Sequence, residues 1–334
     1  AAEGQALLFA GGQDLRPVAV DLQLVGQVAE LDLFEDGPRL GVVQRRAWVG
    51  QRVAQRAQRQ VGPLRQEQRV GVGRALRIAP QRGDLIGLLA RSMAGQGFFD
   101  ASYPVFLEAI KAEPNVILHR QEFGFTLLRG GHPAEALRIF QQVLAVAPHD
   151  PLALAGIAQA FRETSDPRYA RLIDYAKYVK VYDVKPPAGY EDAEAFNRAL
   201  ASELDALHLA RRAPVDQSLR GGTQTTGRLF DETSRAVREV RSAIELAVAD
   251  YIRTLPDEPD HPMFQRRSEA FAFAGSWSCR LSAGGQHGNH VHHEGWISSA
   301  YYVCVPGEAE DEVAKPGWFK LGETKDRKST RLNS

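Results

Sequence analysis

The chain has nine histidines, and four of them, His287, His290, His292 and His293, fall within seven consecutive positions of GGQHGNHVHHEGW (284–296). Imidazole is a titratable base near neutral pH and a common ligand of divalent transition metals, so clustering of this density points to a metal site. The competing reading is a polar loop that merely happens to be rich in His. The flanking segments add geometry. FAFAGSWSCRLSAGG (271–285) alternates Trp277, Cys279 and Leu281 against Ser276, Ser278 and Arg280, as a half-buried strand does. WISSAYYVCVP (296–306) alternates in the same way and ends at Pro306, which puts the histidines at the junction of two strands. In a strand, residues i and i+2 share a face about 6.6 Å apart. His290 and His292 can therefore converge on one ion through bonds of about 2.1 Å, and so can His292 and Glu294. His290 and Glu294, about 13 Å apart in extended chain, cannot easily do so. Iron, zinc, copper or nickel suits such a pair, and a third ligand must come from elsewhere.

The elements that precede this cluster follow a different period. At an offset of 34 residues, AGQGFFDASYPVFLEAIKAEPN (94–115) superposes on LRGGHPAEALRIFQQVLAVAPH (128–149), pairing Gly97 with Gly131, Phe106 with Phe140, Ile110 with Leu144 and Pro114 with Pro148. Each unit reads as a helix, a Gly turn, a second helix with apolar residues at helical spacing, and a Pro that stops it. A weaker third unit starts at Asp150, with Leu154, Ile157, Ala158 and Phe161 in its first helix and Ala170 in its second, and the pattern is lost near Tyr182. Such helix pairs bury their apolar faces only by stacking on one another. The period, with Gly124, Gly131, Ala136, Phe140 and Pro148 in place, resembles the tetratricopeptide repeat. That resemblance implies a concave surface for a protein or peptide partner; the alternative is a spacer that docks only on the following domain.

Between repeats and histidines, Phe196, Leu200, Leu204 and Leu207 predict one helix and residues 231–255 a second, with Asp231 as N-cap and Pro256 as stop. QSLRGGTQTTGRLF (217–230) reads as a loop, in which Arg220 is a candidate anion contact. Lys plus Arg and Asp plus Glu each number 41, a balance that does not favour nucleic acid or an anionic membrane as partner. With no signal-peptide pattern, the default compartment is the cytoplasm. There, Cys279 and Cys304 read as small buried residues. Residues 1–82 contain no Ser, Thr, Asn, Lys, His, Tyr, Cys or Met, but 12 Arg and 12 Gln. Such bias suggests a GC-rich gene read in a wrong frame; the alternative is a genuine helix using Leu22, Val25 and Val28.

NHVHHEGWISSAYYVCVP (289–306), preceded by SWSCRLSAGGQH (276–287), resembles the core of the bacterial 2-oxoglutarate- and Fe(II)-dependent oxygenases that follow tetratricopeptide repeats. QSLRGGTQT (217–225) and GWFKLGE (317–323) are similar to this family too, so the resemblance covers about residues 84–323. It implies an α+β chain, helical repeats followed by a double-stranded β-helix or jelly roll, with Fe(II) and 2-oxoglutarate as cofactors and hydroxylation of a C–H bond as the reaction. It makes His290 and His292 the first two metal ligands and Tyr302 a partner of the distal carboxylate of 2-oxoglutarate; strand spacing keeps Glu294 as the alternative ligand, and Ser298, which shares a face with Tyr302, is a lesser candidate. His293 stands where the family usually has Pro. The family's later His and basic residue have no counterpart His after Trp318, and KDRKSTRLNS (325–334) resembles a translated sequencing-adapter tail, so the chain reads as a truncated product, inactive as it stands. The expected organisation is an unreliable segment at 1–82, repeats at 83–184, a helical connector at 185–262, a truncated oxygenase domain at 263–324 and the tail at 325–334. Two alternatives remain: a protein-binding repeat scaffold with a non-catalytic oxygenase-like domain, and a cupin-like metal site that uses no 2-oxoglutarate.

Overall fold

The computed structural model describes residues 7–9, 18–27, 76, 78–79, 81–209, 218–226, 228–265, 267–288, 290–292 and 294–304, and mixes helices with one sheet. His293 and the readings placed on residues 305–334 lie outside the described residues. The described residues fall into two compact units, one holding those between 76 and 143 and the other those at 7–9, 18–27, 144–209 and 218–304.

In the first unit the helices are α1 (Gly83–Gly95), α2 (Phe99–Ala112), α3 (Ile117–Arg129) and the greater part of α4 (Pro133–Val146). The 34-residue period appears in the backbone. Gly97 and Gly131, at φ +89° and +84°, end the first helix of each pair, and left-handed backbone of this kind favours glycine. Their hydrogen bonds repeat as well. Gly97 N donates to Ala94 O and Phe98 N to Met93 O, while Gly131 N donates to Leu128 O and His132 N to Leu127 O. Phe106 and Phe140 are fully buried; Phe106 stacks on Phe123 with ring centroids 5.5 Å apart, and Phe140 meets Phe125 edge-on at 5.0 Å. A Cβ on Gly124 would come 2.6 Å from the Phe140 ring, so the small residue at this position is a packing requirement.

The second unit opens with α5 (Pro151–Glu163), which begins 34 residues after α3, and α6 (Arg168–Leu172) follows it. The turn between them is again the repeat's. Ser165 takes φ +53°, donates from its N to Arg162 O, and is followed by a bond from Asp166 N to Phe161 O. The third unit therefore keeps the turn with Ser in place of Gly. Beyond the short α7 (Tyr175–Tyr178), α8 (Ala193–Asp205) is capped by Asp192, whose carboxylate accepts from Ala195 N at 2.7 Å.

Helix α9 (Arg235–Thr254) starts four residues later than the sequence predicts, after a 3₁₀ turn at Leu229–Asp231. Asp231 is not its cap. The cap comes from α8, because Glu203 accepts from Ala236 N at 2.9 Å and Val237 N at 3.3 Å, an interaction that local sequence does not carry. Val237, Val240, Ile244, Val248, Tyr251 and Ile252 form its buried face.

The sheet has the order β1-β5-β2-β4-β3, with β1 Leu7–Phe9, β2 Val18–Gln27, β3 Leu219–Gln224, β4 Phe271–His287 and β5 Ile297–Tyr302. Strand β2 runs parallel to both β4 and β5. Residues 18–27 are thus strand, which corrects the helical alternative for that stretch. Strand β3, read as loop, pairs antiparallel with β4. A Cβ on Gly222 would lie 2.3 Å from Arg280 O, so glycine here allows the two backbones to approach at a register shift. A double-stranded β-helix needs two facing sheets; the described residues form one.

Burial in β4 does not follow the apolar alternation. Ser276, Ser278 and Cys279 are buried, whereas Trp277 and Leu281 are only half-buried. The serines are inside because they have partners. Ser276 Oγ accepts from Phe230 N at 3.0 Å, and Ser278 Oγ pairs with His208 Nε2 at 3.1 Å. Cys279 is buried as expected, with its thiol pushed up to about 12 by that burial, but Cys304 is exposed. On the helical side of the sheet, Trp296, Ile297, Tyr301 and Val303 join the α8 and α9 core, and Tyr301 donates to Asn197 Oδ1 at 2.6 Å.

Candidate metal centre

His287 closes β4, and the chain from Gly288 to Trp296 joins β4 to β5 without regular structure where it is described. Neither His290 nor His292 is in a strand. Their side chains nevertheless meet, with Nε2 of each 2.9 Å from the other and ring centroids 4.7 Å apart.

Partners fix how those nitrogens are protonated. His290 Nδ1 is 2.8 Å from Gly288 O, and a carbonyl only accepts, so Nδ1 carries the hydrogen and Nε2 presents a lone pair. The 2.9 Å contact is then a hydrogen bond donated by His292 Nε2–H. The same separation suits an ion, because two nitrogens in adjacent positions at right angles, with bonds of about 2.1 Å, lie about 3.0 Å apart. The pair fits two neighbouring positions of a transition metal once the ring proton of His292 sits on Nδ1, leaving a lone pair at Nε2. Glu294 is exposed, and no group of three His, Cys, Asp or Glu side chains able to hold a metal occurs among the described residues.

The sheet register sets what surrounds the pair. Gln23 stands between Trp277 and Ala300, and Val25 between Cys279 and Tyr302, and residues paired across a sheet share a face. Trp277, Ala300 and Tyr302 therefore lie on one face, with Ser298 two residues before Ala300, and this is the face turned away from the Ile297 and Tyr301 side. His292 lies over it, stacked on Trp277 with ring planes 8° apart and centroids at 5.7 Å. Burial raises the Tyr302 phenol above its ordinary value, so it stays a hydrogen-bond donor at neutral pH.

His287 has a different setting. Its Nδ1 is 3.2 Å from Ser218 Oγ, and burial, with the charges of His290 and His292 adding to it, holds it down to about 4, so it is neutral at physiological pH. Arg220 is exposed and bonds back to Leu219 O at 2.9 Å. The sequence reading missed His208, whose Nε2 meets Ser278 Oγ at 3.1 Å and whose Nδ1 meets Thr223 Oγ1 at 3.0 Å. That residue ties the end of α8 to β3 and β4, and nothing in its local sequence signals it.

Comparison with known proteins bears on this region. The model of a family described as "Putative 2OG-Fe(II) oxygenase" matches residues 275–334, which include both histidines, Tyr302 and Ser298. No curated protein matches the chain. Among solved structures, a MamA mutant is similar at 21% identity and a TM-score of 0.27, and MamA MSR-1 C2 at 20% and 0.27. The similarity covers 30% of this chain in both cases, and 58% and 57% of theirs. No helix among the described residues is long and apolar enough to cross a membrane.

Proposed function

We propose that the chain carries the metal-binding core of a 2-oxoglutarate- and Fe(II)-dependent oxygenase, with His290 and His292 as two of the iron's protein ligands. The observation that carries this reading is the 2.9 Å approach of the two Nε2 atoms within the family-matched residues. Iron and 2-oxoglutarate, when bound, would let dioxygen hydroxylate a C–H bond, one oxygen atom entering the product and the other entering succinate as 2-oxoglutarate loses CO2. The chain's own residues do the holding. His290 offers a lone pair prepared by Gly288 O, and His292 offers the second in the tautomer that carries its proton on Nδ1. Tyr302 donates its phenolic hydrogen to the distal carboxylate of 2-oxoglutarate, with Ser298 as a secondary donor on the same face. Glu294 is the alternative ligand to His290.

In this reading residues 83–184 are the repeat region, presenting a surface for a protein or peptide, 185–262 the connector, and 263–324 a portion of a jelly-roll oxygenase domain. The recurring turn at Gly97, Gly131 and Ser165 supports the repeat assignment. An anaerobic Co(II) titration followed by visible absorption tests the ligands. The wild-type chain is expected to bind one ion, and His290→Ala and His292→Ala to lose it, whereas Glu294→Gln keeps it. Loss in Glu294→Gln with retention in His290→Ala transfers the role to the His292 and Glu294 pair. No binding by the wild-type chain favours the repeat scaffold instead.

A further inference from the structure

We propose that Trp277 is a positioning residue for this site, its indole face holding the His292 imidazole in the plane that aims Nε2 at the shared ion. The inference rests on the reading of His290 and His292 as ligands. Two imidazoles make a chelating pair only when both rings are turned correctly, and each ring is free to rotate about its own side-chain bonds. His290 is turned by the Gly288 carbonyl. His292 sits outside the strands, where ladder hydrogen bonds do not fix its backbone, and its ring lies parallel to Trp277 within 8°. Trp277 is a suitable support. It sits mid-strand in β4, is itself half-buried, and is tied through β2 to the strand that carries Tyr302.

The stack also has an electronic consequence. An imidazole bound to a divalent cation becomes electron-poor, and the negative face of an indole attracts such a ring more than it attracts a neutral one. The contact therefore strengthens when the ion binds, which couples ring orientation to occupancy. Phe at 277 keeps a face, though a smaller one; Ala removes it.

The chain has four tryptophans, and the stack places the indole of Trp277 against a ligand ring, where a bound Co(II) ion quenches its emission. The experiment titrates Co(II) into the full chain, wild type, Trp277→Phe and Trp277→Ala, reading tryptophan emission and the visible Co(II) bands, with far-ultraviolet circular dichroism to establish folding. Wild type is expected to show a saturable loss of emission that tracks the Co(II) bands. Trp277→Phe should bind within about twofold of wild type but lose the saturable quench, and Trp277→Ala should bind roughly fivefold more weakly with altered bands. If Trp277→Ala matches wild type in affinity and bands, the positioning role is wrong while the ligand assignment stands. If Trp277→Ala does not fold, a quench that persists in Trp277→Phe overturns the role equally, since the responding indole then lies elsewhere. If wild type binds no Co(II), both this inference and the ligand assignment fall.

Discussion

His208 is the side chain whose chemistry most clearly exceeds what its neighbours in sequence announce. It accepts and donates between Thr223 and Ser278, and burial, helped by the nearby Arg280 charge and opposed by Asp205, holds it down to about 4. Between about pH 4 and pH 6.5 the unfolded chain binds a proton there that the folded chain does not, so stability rises with pH across that window. Acidification from pH 7 toward pH 4 is thus expected to lower the urea midpoint, and His208→Asn to flatten that part of the profile; an unchanged slope in the variant would assign the titration elsewhere. His287 is also held neutral by burial; its Nδ1 meets Ser218 Oγ and its ring centroid lies 6.1 Å from that of His290. His287→Ala is accordingly expected to leave Co(II) affinity within about threefold of wild type, which the same absorption titration measures. The spacing argument for His290 and His292 assumed a strand; the structure brings their rings together in irregular chain instead, where a period of two does not apply. Trp277 was legible as a strand residue only. Nothing in its own segment says which ring will lie on it.

At the scale of elements, the repeat turns give the clearest energetic tests. Gly131 has φ +84° and open space where a Cβ would stand, so Gly131→Ala is expected to cost about 1 kcal/mol through backbone strain alone. Ser165 holds φ +53° in the equivalent turn, and Ser165→Gly should recover about 0.5–1 kcal/mol. Thermal melts of the two variants should move in opposite directions; shifts of one sign would mean that the turns are not equivalent. The period was legible because helix lengths and turn chemistry recur in the sequence itself. Strand β3 was not. Gly221, Gly222 and Thr223 have the composition of a loop, and only the approach of the Arg280 backbone shows why glycine is needed in a strand there. The cap of α9 was equally hidden, since Glu203 reaches it across 33 residues. The inner face of β4 misled for a related reason: alternation defines two faces, but bonds from Phe230 N to Ser276 Oγ and between His208 Nε2 and Ser278 Oγ allow the serines to be buried as well as Cys279.

At the scale of the whole molecule, a charge-balanced chain with helical repeats and a small mixed sheet brings a two-imidazole pair, a stacked indole and a protonated tyrosine to one face of the sheet. We propose that this face holds Fe(II) and 2-oxoglutarate together. It is tested most directly by adding Fe(II) and then 2-oxoglutarate to the full chain without oxygen while recording visible absorption. A new band that saturates with 2-oxoglutarate, is lost in His292→Ala and is weakened in Tyr302→Phe is the predicted result; a protein that binds Fe(II) with no spectral response to 2-oxoglutarate, or that responds equally well without His292, would contradict it.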